Sequence, residues 1–142
     1  MPYQKFDRTK LKVNRLSDRK NKVYIERDHV PAGSHPGECP AGFSRIIDKC
    51  ADRIIKARES DRPVIMAFGA HTIKNGMAPV LTALIKEGWI THLATNGAGI
   101  IHDWEFAYQG KSSEDVRENV KLGQFGIWEE TGYYINLALI AG

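Results

Sequence analysis

Pro63-Val64-Ile65-Met66-Ala67-Phe68-Gly69 is a short apolar run with no polar residue inside it. Such a run predicts a strand covered on both faces, the pattern of a parallel sheet flanked by helices. Toward the C-terminus, Val80, Leu81, Leu84 and Ile85 form the stripe of a helix over residues 77–87. Gly88 follows where a left-handed glycine ends a helix. Ile90-Thr91-His92-Leu93-Ala94-Thr95 predicts a second strand. Strand, helix, strand within about thirty residues is a βαβ unit, and its crossover should be right-handed. Toward the N-terminus, Phe43, Ile46, Ile47, Cys50, Ile54 and Ile55 recur at helical spacing. They predict a helix that buries this face and ends before Pro63. The expected fold class is α/β, a Rossmann-like parallel sheet with helices on both faces.

The remaining segments follow from turn chemistry. Residues 31–40 hold three prolines and two glycines, which excludes a helix or central strand and marks a linker. Residues 1–30 form a basic arm or hairpin, in which Leu11-Lys12-Val13 and Val23-Tyr24-Ile25 alternate as half-buried strands do. Residues 41–142 are the front part of a nucleotide-binding α/β domain. Within it, residues 100–108 are amphipathic. Ser112 or Ser113 is the expected cap of a helix reaching Leu122, and residues 129–141 form a last helix. Two parallel strands are few against the usual four to six, and both edges would stay unpaired. The expectation is a sheet completed beyond Gly142 or by another chain.

Composition narrows the class. The chain has 142 residues, 42% of them hydrophobic and 26% charged, as in an ordinary soluble globular protein. No apolar run approaches the ~20 residues of a membrane helix, and the first residues lead into charges and not into a signal core. Two cysteines make no disulfide framework, so a reducing, cytoplasmic setting is expected. Cys50 reads as a small buried hydrophobe, whereas Cys39 lies in a loop as an idle or reactive thiol. The net charge of +3 is uneven: residues 1–27 carry nine basic and three acidic side chains. With only Tyr3, Phe6 and Tyr24 for stacking, a solvated or subunit-docking arm is the favoured reading over an RNA contact.

In open α/β sheets ligands bind beyond the carboxyl ends of the strands. Two junctions lie there, Gly69-Ala70-His71-Thr72-Ile73-Lys74-Asn75-Gly76 and Thr95-Asn96-Gly97-Ala98-Gly99-Ile100-Ile101-His102-Asp103-Trp104-Glu105. Glycines let the backbone approach a ligand, and helix N-terminal amides favour phosphate. The Gly97 and Gly99 spacing begins a dinucleotide-binding turn, with His102 in place of the third glycine. A plain tight turn fits the spacing equally well. His102 and Glu105 lie at i and i+3, one helix face, and such a pair suits acid/base work or ribose binding. Asp103 is otherwise a charge favoured at a helix start. Lys74 either holds a phosphate or forms an imine, or is simply solvated. His71, His92 and His102 lack zinc-type spacing, and no metal is expected. Trp104, Trp128, Tyr133 and Tyr134 suit a core or interface.

The stretch from Gly69 to Glu105 resembles the NAD-binding domain of deoxyhypusine synthase and the related C-terminal domain of some ornithine cyclodeaminases. The first junction is similar to the synthase segment T-S-N-x-x-S-S-G. The second approximates its T-T-A-G-G-x-E-E-D and tracks the N…H-D-x-E ending of the cyclodeaminase G-N-A-x-A-x-H-D-x-E. A bacterial group with an arm like Leu16-Ser17-Asp18-Arg19-Lys20-Asn21-Lys22-Val23 is also similar. The resemblance covers about forty residues and implies an NAD site formed by Ala70, His71, Thr95, Asn96, Gly97, Ala98, Gly99, His102 and Asp103; the i, i+3 pair His102 and Glu105 are the candidate catalytic groups. It also implies sites at subunit interfaces, hence a homo-oligomer. Two features depart from the synthase: its imine-forming lysine lies in a downstream segment with no match here, and its paired glutamates are not both present.

The function expected from these readings is an NAD-dependent enzyme acting on an amino acid or polyamine-like amine through an imine. The alternative is a non-catalytic nucleotide-binding or regulatory module with a partner-binding arm. Nucleic-acid binding is the least favoured reading, and no membrane contact is expected.

Overall fold

The computed structural model describes residues 3–142, and the chain is mixed α/β. Asn21–Tyr24 forms β1 and runs into a single turn, α1 (Ile25–Asp28). After the loop of residues 31–40 come α2 (Ala41–Glu59), β2 (Ile65–Phe68), α3 (Ala70–Lys74), α4 (Ala78–Lys86) and β3 (His92–Thr95). They are followed by α5 (Gly97–Gln109), β4 (Lys111–Glu114), α6 (Val116–Lys121) and α7 (Glu129–Ala141).

β2 and β3 pair in parallel, from Ile65 opposite His92 to Phe68 opposite Thr95. Their crossover is the α3–α4 pair. The helix expected over residues 77–87 is α4, and Gly88 takes the left-handed φ of +73° just past its end. A second two-stranded sheet joins β1 to β4 antiparallel, with Val23 opposite Ser112.

α5 is central, packing on α3, β4 and α7. Ile73, Leu81 and Phe106 are buried together, and Val23, Ile25, Phe68 and Ala78 pack against them. Burying such a side chain stabilises by about 1.5–3 kcal/mol. Val23 and Ile25 come from the arm, so residues 14–30 form a strap that shares the core of the α/β body. The strap passes over the α3 turn, where the Val30 N–H donates to the Gly76 carbonyl at 2.9 Å. A side chain at Gly76, whose φ is +81°, would collide with the Asp28 and His29 backbone.

Several expectations are corrected. The α2 stripe does not bury: Phe43 is 62% exposed, Ile46, Ile47, Cys50 and Ile55 are exposed, and Ile54 is half-buried. Nor is β2 covered on both faces, since Ile65 is 66% exposed and only Phe68 is half-buried. Periodicity specifies which face is apolar, not whether anything lies on it. Lys111–Glu114 is a strand and not a helix start, because β1 offers it a ladder partner from far away in sequence. Asp115 caps α6 instead, accepting from the Glu118 N–H at 3.1 Å. Leu11 and Val13 are exposed and outside any strand, while Asn14 makes a single bridge to Trp128. Among the described residues no helix is long and apolar enough to cross a membrane.

Candidate functional site

The parallel register brings the two junctions to the same end of β2 and β3. A Cβ on Gly69 would lie 3.9 Å from Asn96 Nδ2, so the turns face each other. Asn96 is extended and caps α5, its side chain accepting from the Gly99 N–H at 3.0 Å. Gly97 has open space where a side chain would be. Gly99 is different: it is buried, and a Cβ there would drive into the Thr95 hydroxyl. That hydroxyl donates to the Phe68 carbonyl at 3.0 Å, tying the ends of the two strands. One glycine therefore serves access and the other close packing.

A cleft of about 290 Å³ opens beside these turns, lined in part by Phe68, Leu93, Thr95, Gly99 and Asp103. Asp103 is exposed at its edge. A larger cleft of about 690 Å³ lies between α2 and β2, walled by Ile54, Ile55, Ile65, Met66 and Trp89. It is apolar and holds none of the junction residues, so the smaller cleft is the better candidate for polar chemistry. Ala70 and His71 begin α3, with Ala70 half-buried and His71 exposed, while Thr95, Asn96 and Ala98 are exposed at the second turn.

His102 and Glu105 lie on α5 outside the lining of that cleft, and the structure links them through a third residue. The Ser112 hydroxyl donates to Glu105 Oε2 at 2.5 Å and lies 2.7 Å from His102 Nδ1. Glu105 is 1% exposed. Arg19 grips it with two nitrogens, at 2.7 Å and 2.6 Å, and the Thr131 hydroxyl donates to it at 2.9 Å. Four donors thus fill the lone-pair positions of this carboxylate. Arg19 is held in turn by the Asn21 side chain and lies over the buried Trp128 ring, 5.5 Å from its centre.

His102 is half-buried. Burial pushes its pKa below the ordinary histidine value, the Glu105 charge pulls it up, and Lys74, Arg19 and His71 push it further down. The ring is consequently neutral near pH 7. Lys74, half-buried on α3, reaches toward the strap and β4, where it borders a cleft with Lys22, Glu114 and Asp115. His92 is exposed and meets the Thr91 hydroxyl at 2.8 Å. Trp104 stacks on Tyr108 and Tyr134, with centroids 4.7 Å and 5.6 Å away. Among the described residues no group of three His, Cys, Asp or Glu side chains is arranged to hold a metal ion.

Sequence reasoning did not find Arg19, Ser112 or Thr131 as partners of Glu105. Arg19 is one of nine basic residues in its segment, and no local pattern sets it apart. Ser113 adds a second signal visible only in the backbone: its φ of +69° is left-handed, uncommon for a residue other than glycine. This twist lies between Ser112, bound to Glu105, and Glu114, which accepts from the Gly126 N–H at 2.9 Å and Trp128 Nε1 at 3.0 Å. No family model, no curated protein and no solved structure matches the chain.

Proposed function

We propose that the chain is a cytoplasmic NAD-binding protein with a Rossmann-like arrangement, similar to the deoxyhypusine synthase domain, and that it acts on an amino-acid or polyamine-like amine. The observation that carries the reading is the meeting of two small-residue turns at the carboxyl ends of adjacent parallel strands, where such sheets bind ligands. The donor set fits a dinucleotide. The Gly97 and Ala98 amides, which the Asn96 cap does not engage, suit a phosphate, the open space over Gly97 lets it approach, and Asp103 at the cleft edge suits ribose hydroxyls.

NAD, when bound, supplies the hydride acceptor. Oxidation of an amine carbon to C=N by that acceptor would also release a proton from the nitrogen, which calls for a base. His102, neutral and half-buried beside the turn, takes the proton. Glu105 lies enclosed below it, and its charge supports the imidazolium that forms. Asp103 positions the ribose or a cationic substrate. The exposed apolar residues of α2 and α7 are consistent with a homo-oligomer.

Calorimetric titration of NAD+ and NADH tests the reading. The parent should bind, and His102→Ala and Asp103→Asn should each weaken binding by about 1–3 kcal/mol. A folded parent that binds neither form at millimolar cofactor overturns it. The complete occupation of Glu105 favours a second reading, a nucleotide-binding module without turnover. That reading predicts binding with no reduction of NAD+ by any amine offered.

A further inference from the structure

Donor accounting around Glu105 determines the state of a different residue. Glu105 forms a bidentate pair with Arg19, so its oxygens are acceptors only. At 2.5 Å from Oε2, the Ser112 oxygen must place its hydrogen on that contact, because two lone pairs facing each other there would repel. A hydroxyl has one hydrogen. Having given it to Glu105, Ser112 can only accept from His102 Nδ1, 2.7 Å away, and Nδ1 must therefore carry hydrogen. In the neutral ring the other nitrogen then carries none.

We infer that Ser112, aligned by the Arg19–Glu105 pair, is a positioning residue that locks His102 in its Nδ1–H tautomer and leaves Nε2 without a hydrogen, free to accept. This is the reverse of the Nε2–H form that a histidine side chain favours in water. The chemical class that Nε2 accepts is a hydrogen donor, such as an ammonium, hydroxyl or amide N–H, and not a carbonyl or carboxylate oxygen. The titratable and charged groups around the ring are Glu105 on its own helix, Lys74 and His71 on α3 and Arg19 on the strap. Ser112 from β4 is the neutral hydrogen-bond partner of the ring and is fully buried. The assignment concerns the protein alone and does not depend on a bound dinucleotide.

The test is the nitrogen spectrum of His102 in the 15N-labelled full chain at pH 8, read through long-range couplings to the ring protons. A pyrrole-type Nδ1 and a pyridine-type Nε2 are expected. In Ser112→Ala the signature should move toward the Nε2–H form, whereas Thr131→Val, which also removes a Glu105 donor, should leave it unchanged. An Nε2–H ring in the parent overturns the proposal without any variant having to fold. So does an unaltered Nδ1–H ring in folded Ser112→Ala. The cofactor titration reads a separate property, so either reading can fail while the other stands.

Discussion

Arg19 and Glu105 stand 86 residues apart and meet in a two-point ion pair whose side chains are 3% and 1% exposed. A charge left alone in such a place is costly, and breaking a buried pair by removing one partner typically loses about 3–5 kcal/mol. Arg19→Met and Glu105→Gln should each destabilise by that order in denaturant unfolding. The double variant should lose clearly less than the two losses combined, with an interaction energy of about 1–3 kcal/mol. Strict additivity would mean that the pair is not energetically joined.

Gly99→Ala should destabilise by about 1–3 kcal/mol, the usual penalty for overpacking a filled site. The added methyl meets the Thr95 hydroxyl, and Gly99 itself has ordinary helical geometry. Thr95→Ala in the same chain should therefore relieve much of the loss, although it gives up the hydroxyl's bond to Phe68. Urea midpoints of the two single variants and the double variant decide this. If Thr95→Ala gives no relief, the contact is not the cause.

The lowered pKa of His102 has a definite sign in stability. Its ordinary value is 6.5, and the folded value lies below it. Between the two, the unfolded chain binds a proton that the native chain refuses. Stability is fully present above the ordinary value and declines as pH falls through the window toward the folded value. His102→Gln should flatten the corresponding segment of a stability–pH curve. Asp28 and Asp115 are held below the ordinary carboxylate value of 3.8 by hydrogen bonds from Arg27 and Lys22, so their losses occur at lower pH. A slope unchanged by His102→Gln would assign the effect to another group.

The βαβ unit was legible because its signals are local. Apolar runs, Pro63 and Gly88 mark β2, α4 and β3 within a residue or two of where they occur. The surroundings of His102 were not legible. Ser112 and Ser113 next to Glu114 and Asp115 carry the composition of a helix start, and only pairing with Asn21–Tyr24 makes them a strand. His102 and Glu105 were visible as neighbours at i and i+3. The hydroxyl that joins them comes from the next element, and the guanidinium behind it from the other side of the fold. The exposure of the α2 stripe is illegible for a related reason: a covering surface is a property of other segments, which the stripe does not encode.

The strap has a consequence for the order of events in folding. Its anchors lie far along the chain: Arg19 needs Glu105, and the Leu16 N–H needs Glu130, 114 residues away. During synthesis residues 16–19 of the strap leave the ribosome well before residues 105–131, which supply their partners. The βαβ unit, built from nearby contacts, is free to form earlier. Loop closure must be accomplished before these distant contacts reward it. Docking of the strap is accordingly the late step, and it completes the shell around Glu105 and the hydroxyl at His102.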